Sequence, residues 1–351
     1  MMGKYDKASS MRSSLPLAVA THPEDDSIVV NRSTRPIGIF DSGVGGLTVL
    51  AEVKEALPHE NIIYVGDTAN APYGGKSPEA LLKHGRDIIR FLRSHDVKAV
   101  VLACGTTSST VYDQLAKENP DIPLVDVIRP GAKACAELDL AWQSPSPLLK
   151  EDKNSIAFPV LAKSSKSDLS ITSHKKDDEA TPLRLGIIAT AATIKSGLFA
   201  QLVKNQRPDI KLLTQACPLF APMVEAGATH TPIAKWAAET YIGHWRGKID
   251  ALVLGCTHYP LLTDALSHAL GKDMQYINLA THTAQALKAR LAAIGGLNHG
   301  DALAHYKFYV SGEPDVFNKT AQFLLDDNPN AQKFPIRKPS KNAHVIQSSN
   351  G

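Results

Sequence analysis

Short apolar runs alternate along most of this chain with segments whose apolar residues recur at helical spacing. Ile37-Gly38-Ile39-Phe40-Asp41, Ile62-Ile63-Tyr64-Val65-Gly66-Asp67, Val97 to Ala103 and Pro123 to Ile128 form one series. Arg184 to Thr190, Ile210 to Ala216, Asp250 to Leu254 and Gln275 to Asn278 form a second, and Tyr306 to Gly312 stands late in the chain. Apolar runs of this length suit strands buried on both faces. Strands separated by helices join in parallel, with the helices covering the sheet. The alternation therefore predicts an α/β fold of two pseudo-duplicated doubly wound parallel-sheet domains. In such sheets the chemistry collects beyond the carboxyl ends of the strands, here in the cleft between the two domains.

The intervening segments read as helices. Leu47, Leu50, Val53 and Leu57 share one face, and Leu81, Leu82, Ile88, Ile89 and Leu92 another. Further helices are expected over Thr107 to Asn119, Ala192 to Asn205, from Tyr259, over Thr281 to Ile294 and over Pro314 to Asp326, with one more carrying Ile233, Trp236, Ala237, Tyr241 and Trp245. Residues 1–34 show no sustained periodicity and read as a disordered extension. Residues 140–182 are rich in Ser, Lys and Asp, with too few apolar residues to offset the entropy of ordering, and read as a low-complexity insertion. Within it Ile156 to Leu161 is a candidate short strand, and 329–351 read as a polar tail.

A length of 351 residues suits two domains of about 100 to 200 residues each. A formal net charge of +3 gives no reason to expect a nucleic acid or a membrane as partner. The longest apolar runs are strand-sized and no signal peptide is evident, so the chain reads as soluble and cytoplasmic. Its four cysteines, Cys104, Cys135, Cys217 and Cys256, are widely spaced and contain no CxxC pair. That pattern suits free thiols in a reducing compartment.

Two of those cysteines share a context. Val97 to Ala103 runs into Cys104-Gly105-Thr106-Thr107-Ser108, and Asp250 to Leu254 runs into Gly255-Cys256-Thr257-His258. Each thiol stands at a strand's carboxyl end before a helix, where its pKa is open to tuning. Two thiols on opposite faces of a substrate can remove a proton from one side and return one to the other, which inverts a carbon stereocentre. Asp41 and His258 are the natural partners of Cys104 and Cys256. The plainer alternative is that each cysteine is a small buried core residue, and Cys135 and Cys217 are left as that. Cys256-Thr257-His258 lacks the further ligands that a structural zinc site takes, so no metal is assigned. Gly43-Val44-Gly45-Gly46 lacks the third glycine of a dinucleotide fingerprint, Thr48 standing there. It reads as a tight turn whose amides are free to hold a substrate carboxylate. Glu225 lies in a Pro-flanked stretch where an exposed acid would be unremarkable.

Several motifs in order resemble the glutamate racemase family within the aspartate/glutamate racemases. They are Asp41-Ser42-Gly43-Val44-Gly45-Gly46-Leu47-Thr48-Val49, Gly66-Asp67-Thr68 with Pro72-Tyr73-Gly74 and Lys76-Ser77, Ala192-Thr193-Ile194, Cys217-Pro218-Leu219-Phe220 and Leu254-Gly255-Cys256-Thr257-His258-Tyr259-Pro260-Leu261. The resemblance covers about residues 36 to 325. It implies a cofactor-independent isomerase supplying D-glutamate for peptidoglycan, hence cell-wall biogenesis and cell shape, with glutamate as its small-molecule substrate. It implies domains at 35–131 plus 285–328 and at 132–284. It further implies Cys104 and Cys256 as the acid/base thiols, and Asp41, Glu225 and His258 as assisting proton-handling groups. Asp41, Ser42, Tyr73, Gly74, Gly105, Thr106 and Thr257 fall at its substrate-contacting positions. A homodimer is left open.

The chain departs from the pattern in places. Cys104-Gly105-Thr106-Thr107 stands where the family has Cys-Asn-Thr-Ala, and loss of that amide predicts a missing polar contact costing on the order of 1 to 3 kcal/mol. Arg129 replaces an acid, and Asn278-Leu279-Ala280 a more usual Asp-containing segment. Gly105 keeps two alternatives open: racemisation of aspartate or another acidic amino acid, and a weakly active member with a binding or regulatory role.

Overall fold

The computed structural model describes residues 32–138, 182–300, 302–325 and 329–334. Strand β1 (Ile37–Asp41) leads to α1 (Leu47–Ala56), β2 (Ile62–Gly66) to α2 (Pro78–Ser94), and β3 (Ala99–Leu102) to α3 (Gly105–Thr110) and α4 (Tyr112–Glu118). β4 (Leu124–Asp126) and α5 (Ile128–Ala136) complete this run. The second run is β5 (Arg184–Ala189), α6 (Ala191–Ser196), α7 (Leu198–Gln206), β6 (Lys211–Ala216), α8 (Phe220–Glu225) and α9 (Pro232–Ile242). It continues with β7 (Ala251–Leu254), α10 (Thr263–Leu270), β8 (Gln275–Asn278) and α11 (Leu279–Ala293). β9 (Tyr306–Val310), α12 (Pro314–Leu325) and β10 (Gln332–Lys333) follow.

The strands make two parallel sheets, ordered β10-β9-β2-β1-β3-β4 and β6-β5-β7-β8. Each run of four therefore lies in the same order, second-first-third-fourth, and β9 and β10 extend the first sheet alone. This is the pseudo-duplication that the alternation predicts. Phe40 pairs with Leu102 in one sheet and Ile188 with Leu254 in the other. Cys104 and Cys256 each stand two residues beyond those rows, at equivalent ends of the third strands.

β1, β2, β3 and β7 are buried throughout, as continuous apolar runs require. The edge strand β6 is only half-buried. One core runs between the sheets, joining Ile39 and Val101 to Ile187 and Val253 through Ala132 of α5 and Leu287 and Leu291 of α11. Each fully buried leucine there contributes on the order of 2 kcal/mol. No helix among the described residues is long and apolar enough to cross a membrane.

Several elements differ from the sequence expectation. The helix expected over Thr107 to Asn119 breaks at Val111, at φ −130° and ψ 3°. Its first half is a run of Thr and Ser, whose side chains compete for backbone hydrogen bonds and weaken a helix. The helix expected over Ala192 to Asn205 breaks at Gly197, whose φ of 66° is readily adopted by glycine. A 3₁₀ turn, Tyr259–Leu262, precedes α10. On α9, Ile233 and Trp236 are 62% and 64% exposed, and Ala234, Ala237, Ala238 and Ile242 face the core instead. Residues 332–334 are no loose tail: β10 pairs with β9, and Phe334 packs edge-on against Phe91 at 4.8 Å. The 1–31 stretch, the insertion from 139 to 181 with its candidate strand, and the tail beyond 334 lie outside the described residues.

Glu52 of α1, hydrogen-bonded to Thr281 of α11, is a liability between these two helices. Burial outweighs that hydrogen bond and pushes its carboxyl from the ordinary 4.5 to about 7. The folded state therefore holds this proton more tightly than the unfolded chain, a contribution present below the ordinary 4.5 and lost as pH rises through about 7. Glu52→Gln is expected to raise unfolding free energy at pH 8 by on the order of 2 kcal/mol and to leave it unchanged below pH 4, by denaturant titration at both.

Candidate active site

A cavity of about 550 Å³ opens at the carboxyl ends of the strands of both sheets. Cys104, Gly105 and Thr106 reach it from the end of β3, and Cys256, Thr257 and His258 from the end of β7. Ser42 comes from the turn after β1, Tyr73 and Gly74 from the loop after β2, and Glu225 from the last residue of α8. Asp41 lies beneath this lining, fully buried. Cys135 and Cys217 are buried in the cores and outside the lining.

The thiol of Cys256 has a built environment. His258 Nδ1 is 3.6 Å from its Sγ, and His258 Nε2 is 2.7 Å from Glu225 Oε1. The Val44 amide donates to the same Glu225 oxygen at 3.1 Å. Burial alone would depress the pKa of His258. The hydrogen bonds and charges of Cys256 and Glu225 outweigh it and hold the imidazole well above its ordinary 6.5. For Glu225, burial pushes upward, and the hydrogen bond and charge of His258, with the Val44 amide, bring the carboxyl below the ordinary 4.5. The pair is thus a half-buried carboxylate against a buried imidazolium.

Cys104 is different. Burial, with the charge of Asp41 adding to it, pushes its thiol up to about 11 against the hydrogen bonds of Thr107. Asp41 acts on it through charge. Its own hydrogen bonds come from the Gly43 amide at 3.0 Å and the Thr257 hydroxyl at 3.4 Å, and burial raises its carboxyl above the ordinary 3.8.

Two amides of the glycine turn are used within the protein. Those of Gly43 and Val44 are taken by Asp41 and Glu225. Its glycines serve close approach, since a Cβ on Gly43 would lie 2.0 Å from Glu225 Oε1 and one on Gly45 2.4 Å from His258 Nδ1. The turn is the seat on which the Glu225–His258 pair rests. Tyr73 is fixed by its hydroxyl on the Asp67 carboxylate and by stacking on His84 at 5.6 Å.

Sequence reasoning missed Thr190. Its hydroxyl lines the cavity, 2.9 Å from that of Thr106 and 3.0 Å from that of Thr193. The internal duplication carried the signal: Thr190 stands two residues past Ile188, as Ser42 stands two past Phe40. Val316, Phe317 and Thr320 of α12 also form a wall, and no local motif announces them.

No family model matches the chain. A glutamate racemase of Geobacter metallireducens is 35% identical over 292 residues, 83% of this chain and 93% of that protein. The crystal structure of glutamate racemase from Francisella tularensis, in complex with D-glutamate, superposes with a TM-score of 0.69 at 29% identity, covering 86% of this chain and 98% of that one. A Bacillus anthracis glutamate racemase structure gives 0.70 at 28%, covering 87% and 98%. The chain belongs to the glutamate racemase family.

Two of its departures from the family pattern have structural explanations. Arg129 pairs with Asp113 and Asp126 and stacks on Tyr112 at 4.3 Å. Asn278 caps α11, its Oδ1 accepting from the Ala280 amide at 3.1 Å. Neither lines the cavity. Gly105 does.

Because Glu225 helps to hold His258 charged, Glu225→Gln is expected to lower the imidazole pKa. NMR titration of His258 should move toward the ordinary range, and an unmoved titration would refute the pairing.

Proposed function

We propose that this enzyme interconverts L- and D-glutamate by direct proton exchange at the α-carbon, with Cys104 and Cys256 as the two bases and no cofactor. The observation that carries the reading is the pair of thiols, one at the end of each third strand, lining one cavity. Family membership supports glutamate as the substrate, since the relatives are glutamate racemases.

With glutamate between the thiols, a thiolate on one side takes the α-proton as the C–H bond breaks. The electron pair passes into the α-carboxylate as an enediolate. The thiol opposite then gives its proton to the other face of the carbon, and the product leaves with the two sulfurs' protonation exchanged. The resting asymmetry suits this division. Cys104, pushed up to about 11, holds its proton as the donor, while Cys256 has the charged imidazole of His258 3.6 Å from its sulfur, placed to pass protons. Ser42, Tyr73, Gly74, Gly105, Thr106, Thr190 and Thr257 are at hand for the carboxylates and the ammonium group. The activity would supply D-glutamate for peptidoglycan synthesis in the cytoplasm.

Incubation of either glutamate enantiomer in D₂O, without added pyridoxal phosphate, is expected to place deuterium at the α-carbon; no exchange from either overturns the reading. Cys104→Ser and Cys256→Ser should each reduce racemisation by at least about 100-fold, the lower end of a positioned acid/base contribution. The loss should come with unchanged folding by circular dichroism. An active serine variant would remove that thiol from the mechanism.

A further inference from the structure

The residue after Cys104 and the residue before Cys256 meet. A Cβ on Gly105 would lie 2.7 Å from the carbonyl oxygen of Gly255 and 3.7 Å from its carbonyl carbon. That is far inside ordinary contact, and the obstacle is backbone, which has no rotamer to move into. Gly255 is itself held from behind. Its amide donates to the Ile188 carbonyl at 2.8 Å, and a Cβ on it would lie 2.7 Å from that same oxygen. On the opposite side, Gly105 opens α3, which is tied to β3 by the Ser108 amide on the Cys104 carbonyl at 2.9 Å and the Ser108 hydroxyl on the Leu102 carbonyl at 3.0 Å. The hydroxyls of Thr106 and Thr190 bridge the two sides next to the crossing.

We infer that Gly105 is a positioning residue that sets the separation of the two thiols, through its backbone contact with Gly255. Any side chain at 105 drives the end of β3 and the end of β7 apart, and Cys104 and Cys256, each one residue from the contact, move with them. This reverses the expectation from sequence. An asparagine at 105 does not restore a lost polar contact, because the space its Cβ needs holds the Gly255 carbonyl. The catalytic consequence rests on the two-thiol reading, whereas the contact itself does not.

The test is the pair Gly105→Ala and Gly105→Asn in the full chain, since both carry the Cβ and only one carries the amide. Hydrogen–deuterium exchange is expected to quicken in both variants for peptides spanning 104–110 and 254–258. Unchanged protection in both overturns the inference, whether or not the wild type turns over glutamate. In turnover, kcat is expected to fall about 100-fold in both, the scale of an ångström-sized misplacement of a reacting group, with KM little changed. The primary isotope effect with α-deuterated glutamate should rise, because proton transfer over a longer distance becomes more limiting. A fall in rate with an unchanged isotope effect reports only lost folded enzyme and overturns the positioning role. An asparagine variant with a lower KM than the wild type, and an alanine variant without one, restores the polar-contact explanation and overturns this one. Should Gly105→Asn fail to fold, Gly105→Ala decides through its exchange and isotope readouts. A wild type that exchanges no α-proton refutes the racemase reading alone.

Discussion

Burying a charged imidazole removes its hydration, a cost of several kcal/mol unless partners replace the water. His258 is 3% exposed, so everything around it is arranged to meet that cost. Glu225 supplies the countercharge from the last turn of α8, and Val44, from the other half of the chain, steadies the carboxylate. The glycines of the 43–46 turn let these groups approach, and Thr48 closes the assembly by donating to the Thr257 carbonyl at 3.1 Å. The ion pair thus fixes the imidazole beside Cys256, and the hydrogen bonds from Val44 and Thr48 tie the turn after β1 to this side of the second sheet.

The two halves share a strand order but not a chemistry. Equivalent positions hold Cys104 and Cys256, yet one thiol faces an imidazolium and the other is pressed by burial and by Asp41. Duplication places a thiol at the end of each third strand, and the residues around the two strand ends diverge, with Asp41 beside one thiol and His258 beside the other. Ser42 and Thr190 show the opposite outcome, with a hydroxyl kept at the equivalent position of each half.

What was legible in the sequence follows from the range of the forces involved. Strands buried on both faces advertise themselves as unbroken apolar runs, so β1, β2, β3 and β7 could be read directly, and the thiols at their ends with them. Helix interruptions at Val111 and Gly197 depend on local torsions that apolar spacing does not encode. Trp236 has helical spacing with the buried face of α9 yet points outward, because the neighbouring strands and helices, not the helix, decide which face is covered. Gly105 is the sharpest case. Read along the chain it is a missing side chain, and read in space it is room for a carbonyl 150 residues away in sequence.

The outer part of the cavity has a similar origin. Phe317 of α12 stacks on Tyr64 at 6.0 Å, and the Tyr64 hydroxyl donates to the Gly43 carbonyl at 2.7 Å. The late strand β9 brings α12 here by pairing with β2, Tyr64 opposite Phe308. The same tyrosine that anchors the turn beneath Glu225 and His258 therefore also anchors the wall that bounds the cavity.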